Sequence, residues 1–166
     1  MRIASLLEIK KDLKQKTKQE LIELILKLTK YKVENKELLA YLLFESAYEN
    51  HFISKIESEI DLQFAHIHFK SNYIINKNIR KIKRYIVKQI RFPKQKETEI
   101  ALRIHSCKNL VKIQSKYNFN NIRHQMLTRQ IEIIRKALAY LHEDLQFDYE
   151  LELTELLEQV LSLIHI

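Results

Sequence analysis

No glycine occurs anywhere in the 166 residues of this chain, and proline occurs once. Glycine is the default residue wherever φ must be positive, as in type II and primed turns, bulges and the position just past a helix. Without it, tight β-hairpins, phosphate-cradling glycine loops and the strained strand-to-helix elbow of hydrolases lose their usual means of construction. P-loop, dinucleotide-binding and α/β-hydrolase architectures are therefore excluded at the outset. What remains is helices joined by Asn, Asp, Ser and Thr turns. The sequence predicts an all-α fold, a multi-helix bundle of about 7-8 helices or a short solenoid of helical hairpins. No repeat of fixed period is found, which favours the bundle.

The length suits one domain, read as residues 1–160, with a core able to bury about 70% of the unfolded surface. The single cysteine, Cys107, has no disulfide partner within the chain and cannot build a thiolate zinc cage. It lies on an apolar stripe and reads as a small core residue. No run of 18 apolar residues marks a membrane span. The chain thus reads as intracellular and cytoplasmic, with no metal and no cofactor expected. Its last six residues, Leu161-Ser162-Leu163-Ile164-His165-Ile166, resemble one reading frame of the transposon-end adapter used in sequencing libraries. Read so, residues 161–166 are set aside from the fold, native sequence stops near Val160 in mid-helix, and the native C-terminus is missing.

Helical signals run along the chain. Thr17-Lys18-Gln19-Glu20 is a capping box opening a helix with Leu21, Leu24, Ile25 and Leu28 on one face. Asn35 is placed to cap the next helix, and a break is expected near Glu49 to His51. Asn72 starts a helix that Pro93 must end, with Pro93 in the first turn of its successor. That successor sends Ile100, Ile104, Cys107 and Val111 to a core, and a turn follows at Tyr117 to Asn121. Leu127, Ile131, Ile134, Leu138, Leu141 and Leu145 then form the most regular stripe, read as one central helix. Asp148 is placed to cap a final helix.

Charge is segmented. From Lys70 to Lys96 there are ten Lys or Arg residues and no Asp or Glu, against a net charge of +8 for the whole chain. At the other extreme, residues 137–166 hold seven Asp or Glu and no Lys or Arg. On the helix from Asn72, Ile75, Ile79, Ile82, Ile86 and Ile90 make an apolar stripe. Lys77, Arg80, Lys81, Arg84, Lys88 and Arg91 make a basic face away from it. Lys108, Lys112 and Lys116 form a row on the following helix, and if the two helices pair as a hairpin the rows merge.

Nucleic acid is the natural polyanion for such a surface. Each neutralised phosphate releases counterions, giving sequence-independent binding with Kd of order 10⁻⁴ to 10⁻⁶ M. Tyr73, Tyr85 and Phe92 offer stacking faces if they are open to solvent. A competing reading pairs the basic block, 70–96, with the acidic segment, 143–158, as a protein-interaction or self-assembly module. An anionic membrane surface fits less well, because β-branched isoleucine suits helix packing. The plainest alternative is a solvated helix face with no partner.

Arg135 and His142 are separated by six residues. On one continuous helix they lie about two turns apart on the same face. This spacing is similar to the Arg and His signature of HEPN-type ribonucleases, small helical bundles that act on RNA. The resemblance implies that Arg135 stabilises phosphate and His142 performs acid–base chemistry. Lys136 departs from the Asn, Asp or His that often follows the arginine in that family. Otherwise the pair reads as rim residues beside the Leu138 and Leu141 seam, in a chain expected to be non-enzymatic. His66 and His68, about 200° apart on a helix, cannot share a metal. Glu57 and Asp61 read as a solvated face.

Overall fold

The computed structural model describes residues 2–116 and 120–164, with side chains for all of these but 163 and 164. The described residues contain no strand. They form α1 (Leu6–Leu13), α2 (Lys18–Tyr31), α3 (Val33–Ala40), α4 (Glu49–Ala65), α5 (Asn72–Ile90), α6 (Lys96–Lys116), α7 (Asn121–Leu138) and α8 (Glu143–Ile164). A π-helical turn, Tyr41–Glu45, follows α3. The fold is the expected all-α, multi-helix arrangement. The chain divides into two compact units, Met1–Glu45 and Ser46–Ile166.

In the first unit, capping sets the helix starts. The Thr17 hydroxyl accepts from the Glu20 N–H while Glu20 accepts from the Thr17 backbone, closing the box expected there. Ser5 and Glu8 make a second box at α1. Backbone and hydroxyl hydrogen bonds hold both glutamate carboxyls below their usual range. Asn35 does not cap α3. A single extended residue, Lys32, separates α2 from α3, so Asn35 falls inside the first turn and its Nδ2 donates back to the Leu28 carbonyl at 2.7 Å. Among the described side chains of this unit only Tyr41 is buried; Leu24, Ile25 and Leu28 remain exposed.

In the second unit α6 is the centre, with α4, α5, α7 and α8 all packed on it. Its consecutive residues Leu102, Arg103 and Ile104 are all buried, as only a surrounded helix allows. The stripe Ile100, Ile104, Cys107 and Val111 is buried as expected. Ile75, Ile79, Ile82, Ile86 and Ile90 of α5 are buried too, each worth about 1.5–3 kcal/mol relative to exposure. The chain break expected near Glu49 falls just before it, at residues 46–48.

The helix thought to be central ends early. α7 stops at Leu138, and tight bonds from Tyr140 N–H to the Ala137 carbonyl and from Leu141 N–H to the Leu138 carbonyl turn the chain into α8. Leu141 lies in that turn and Leu145 on α8. The turn spans about one helical repeat, so the apolar spacing continues in phase across it. Asp148 accordingly sits inside α8, whose first turn carries Glu143 and Asp144.

Two further junctions differ from expectation. Pro93 lies in the turn after α5 and ahead of Lys96, outside the first turn of α6. There Lys94 adopts φ of 54°, the left-handed conformation that glycine usually supplies, and its N–H donates to the Ile90 carbonyl at 3.3 Å. Before α7, the Asn120 side chain accepts from the N–H groups of Ile122 and Arg123. The turn read at Tyr117 to Asn121 lies mostly outside the described residues.

Candidate nucleic-acid interface

α5 turns its isoleucines inward, which fixes the opposite face toward solvent. Lys77, Arg80, Lys81, Arg84 and Arg91 are exposed there, and none of them forms an ion pair or hydrogen bond among the described residues. Neighbours three and four apart on a helix lie about 5–6 Å apart at Cβ, so Lys77 meets Lys81 and Arg80 meets Arg84 as like charges. Each such pair costs a few tenths of a kcal/mol. Lys88 is half-buried. Of the aromatic side chains, Tyr73 is 72% exposed, whereas Tyr85 and Phe92 are half-buried and offer only part of their rings.

The α6 row does not extend this face. Arg103, Cys107 and Leu110 line a recess with Ile79, Lys83 and Ile86 of α5. Lys108 and Lys112 lie about 100–140° round the α6 axis from Cys107, turned away from α5. Lys108 donates to Glu152 of α8 at 2.8 Å. Lys112 is exposed and acts on Asp61 of α4. Burial works to raise the Asp61 carboxyl, but hydrogen bonds from Asn109 and His105, both 2.6 Å, outweigh it and hold that carboxyl low. Lys116 is exposed at the end of α6. The merged surface expected from a hairpin is thus replaced by a basic face on α5 and, turned away from it, a row on α6 in which Lys108 is paired with Glu152.

The acidic helix leaves α5 uncompensated. α8 packs on α6 and α7, and among the described residues its carboxylates pair with Lys108 and, at 3.4 Å, with His142. No ion pair joins 143–158 to 70–96 among those residues.

Arg135 and His142 are not on one helix. The turn that ends α7 places His142 beyond it, with its side chain 75% exposed. Arg135 stays on α7, lining an open groove with Gln146 and Glu150 of α8. The two-turn spacing on one face, which carried the ribonuclease resemblance, is lost at that break.

What escaped sequence reading is a polar network inside the core. Arg123 is fully buried; its Nε donates to Gln114 of α6 at 3.0 Å and its Nη1 to Asn72 of α5 at 2.9 Å. Burial draws its pKa down. Arg103 donates to Glu99 through Nε and Nη2, at 3.1 and 2.9 Å, and through Nη1 to Gln130 of α7 at 2.6 Å. Arg123, Gln130 and Gln114 occupy positions that continue apolar stripes, the one signal that could have flagged them. The Thr98 hydroxyl, also buried, donates to Glu49 of α4.

Cys107 is 1% exposed and burial pushes its thiol up to about 12, which leaves it protonated and inert. Among the described residues no group of three or more His, Cys, Asp or Glu is placed to hold a metal ion, and no helix is long and apolar enough to cross a membrane. Compared with known proteins, the chain matches no family model, no curated protein and no solved structure.

Proposed function

We propose that the outward face of α5 binds nucleic acid without sequence preference, through Lys77, Arg80, Lys81, Arg84 and Arg91. The observation that carries this reading is that all five cations, four on α5 and Arg91 at its C-cap, are exposed and unpaired among the described residues, on a helix whose other side is anchored by buried isoleucines. Phosphates relieve the mutual repulsion along such a face, and the face in turn displaces the cations condensed on the nucleic acid. Tyr73, exposed one turn ahead of Lys77, adds a ring on which a base can stack. The test is fluorescence anisotropy with a short oligonucleotide. The triple variant K77Q/K81Q/R84Q is expected to weaken binding at least tenfold at low salt; unchanged affinity refutes the assignment to α5.

A second reading is favoured by α8, where exposed Phe147 and Leu151 lie among exposed Asp144, Asp148, Glu150 and Glu155. Apolar side chains ringed by acid suit a basic protein face, including α5 of another copy. Sedimentation at low and high salt tests it: a monomer under both conditions removes self-pairing.

A further inference from the structure

α5 and α7 both pack on α6, and a recess of about 20 Å³ between them has a largely apolar wall, completed by Phe64 of α4, into which Lys83 from α5, Arg103 and Ser106 from α6, and Gln130 from α7 bring polar groups. That volume accommodates about one oxygen-sized group. Its polar lining is rich in donors and short of acceptors. Arg103 is committed to Glu99 and to Gln130 Oε1. Gln130, 8% exposed, is left with an Nε2 that has no acceptor, and neither Lys83 nor Ser106 has a hydrogen-bond partner among the described residues. Arg129, exposed beside Gln130 on α7, also forms no ion pair among them.

Lys83 differs from the cations of the outward face. It lies on the flank of α5 that carries buried Asn76, and it is half-buried. Burial first, then the charges of Arg129 and Arg103, pull its ammonium below the usual lysine range. One carboxylate, Glu99, serves Arg103. Nothing among the described residues neutralises Lys83 or Arg129.

We infer that this recess binds one phosphate monoester, the terminal phosphate of a nucleic-acid strand lying along α5. A phosphomonoester carries about −1.5 to −2 charge at neutral pH and presents three acceptor oxygens. One oxygen enters the recess toward Ser106 and the Gln130 amide, and the others face Lys83 and Arg129. An internal phosphodiester has a single negative charge and two sugars that must both clear the walls of α5 and α7. The strand end satisfies donors that otherwise lack acceptors, in charge-assisted bonds. This inference deepens the nucleic-acid reading and rests on it for the strand, but not for the phosphate.

The experiment compares matched oligonucleotides ending in phosphate or hydroxyl, at the 5′ or the 3′ end, by anisotropy at fixed salt. A phosphorylated end is expected to tighten binding about tenfold. That preference disappears in Lys83→Met and in Arg129→Gln, the second being an exposed position where folding is not at stake. Inorganic phosphate at constant ionic strength raises the Tm of the wild type and not of either variant. Equal affinity for both ends in the wild type, or a preference that survives both substitutions, overturns the inference. If oligonucleotides do not bind but inorganic phosphate still stabilises the wild type alone, the recess is upheld as a small-phosphate site and the α5 reading falls. If hydroxyl-ended strands bind with salt dependence and phosphate has no effect, the recess is refuted and the α5 reading stands.

Discussion

Arg123 of α7 donates through Nη1 to Oδ1 of Asn72 at 2.9 Å, so a fully buried guanidinium grips the first residue of the basic helix. Through Nε the same group holds Gln114 of α6, so one side chain registers three helices. Asn72→Ala leaves part of a buried guanidinium without its acceptor, at a cost of about 1–3 kcal/mol. Arg123→Ala removes the group and its packing and leaves the Gln114 carbonyl without its donor, and is expected to cost about 2–5 kcal/mol. Urea denaturation followed by circular dichroism measures both, with the arginine variant the more severe.

Lys94 occupies the left-handed region at φ of 54° in a chain that contains no glycine. For a residue with a Cβ that conformation costs about 1–2 kcal/mol. Lys94→Gly is therefore expected to raise the stability of the second unit by about 1 kcal/mol despite the greater entropy of the unfolded chain. Lys94→Ala keeps the Cβ and gives no such gain. Thermal unfolding of the two variants separates them.

Cys107 and Tyr149 both have acid groups pushed up to about 12, from 9.0 and 10.0 respectively. Burial is the leading cause in each, and for Tyr149 the carboxylates of Glu97 and Glu152 add to it. The folded state thus binds these protons more tightly than the unfolded chain. Their stabilisation is complete below about pH 9 and declines as pH rises toward 12. Denaturation midpoints are expected to fall over that window, and C107A/Y149F to flatten the alkaline limb. The native thiol also resists alkylation at pH 8, reacting only as fast as the chain opens.

Some of this architecture was legible from residue order alone, and for a physical reason. The isoleucine repeat of α5 and the Thr17–Glu20 capping box are local signals, and local geometry decides them. The stripe from Leu127 to Leu145 misled because a turn of about one helical repeat preserves phase, so apolar spacing is blind to the break at residues 139–142. Asn35 has the chemistry of a cap, but a linker of one residue put it inside α3. The basic face of α5 was visible because its opposite side is apolar. The fate of Lys108 depended on where α8 packs, which no local pattern encodes. The same holds for Arg123, Gln114 and Gln130, whose partners lie on other helices.

Binding at the α5 face stands or falls on its salt dependence. Neutralising about five phosphates predicts a log–log slope of Kd-derived affinity against salt near −4.5 on duplex DNA and near −3.5 on a single strand. Substituting Lys77, Lys81 and Arg84 together should bring the duplex slope to about −2. A slope near zero for the unsubstituted protein, or one that the triple substitution leaves unchanged, rules out α5 as the binding face.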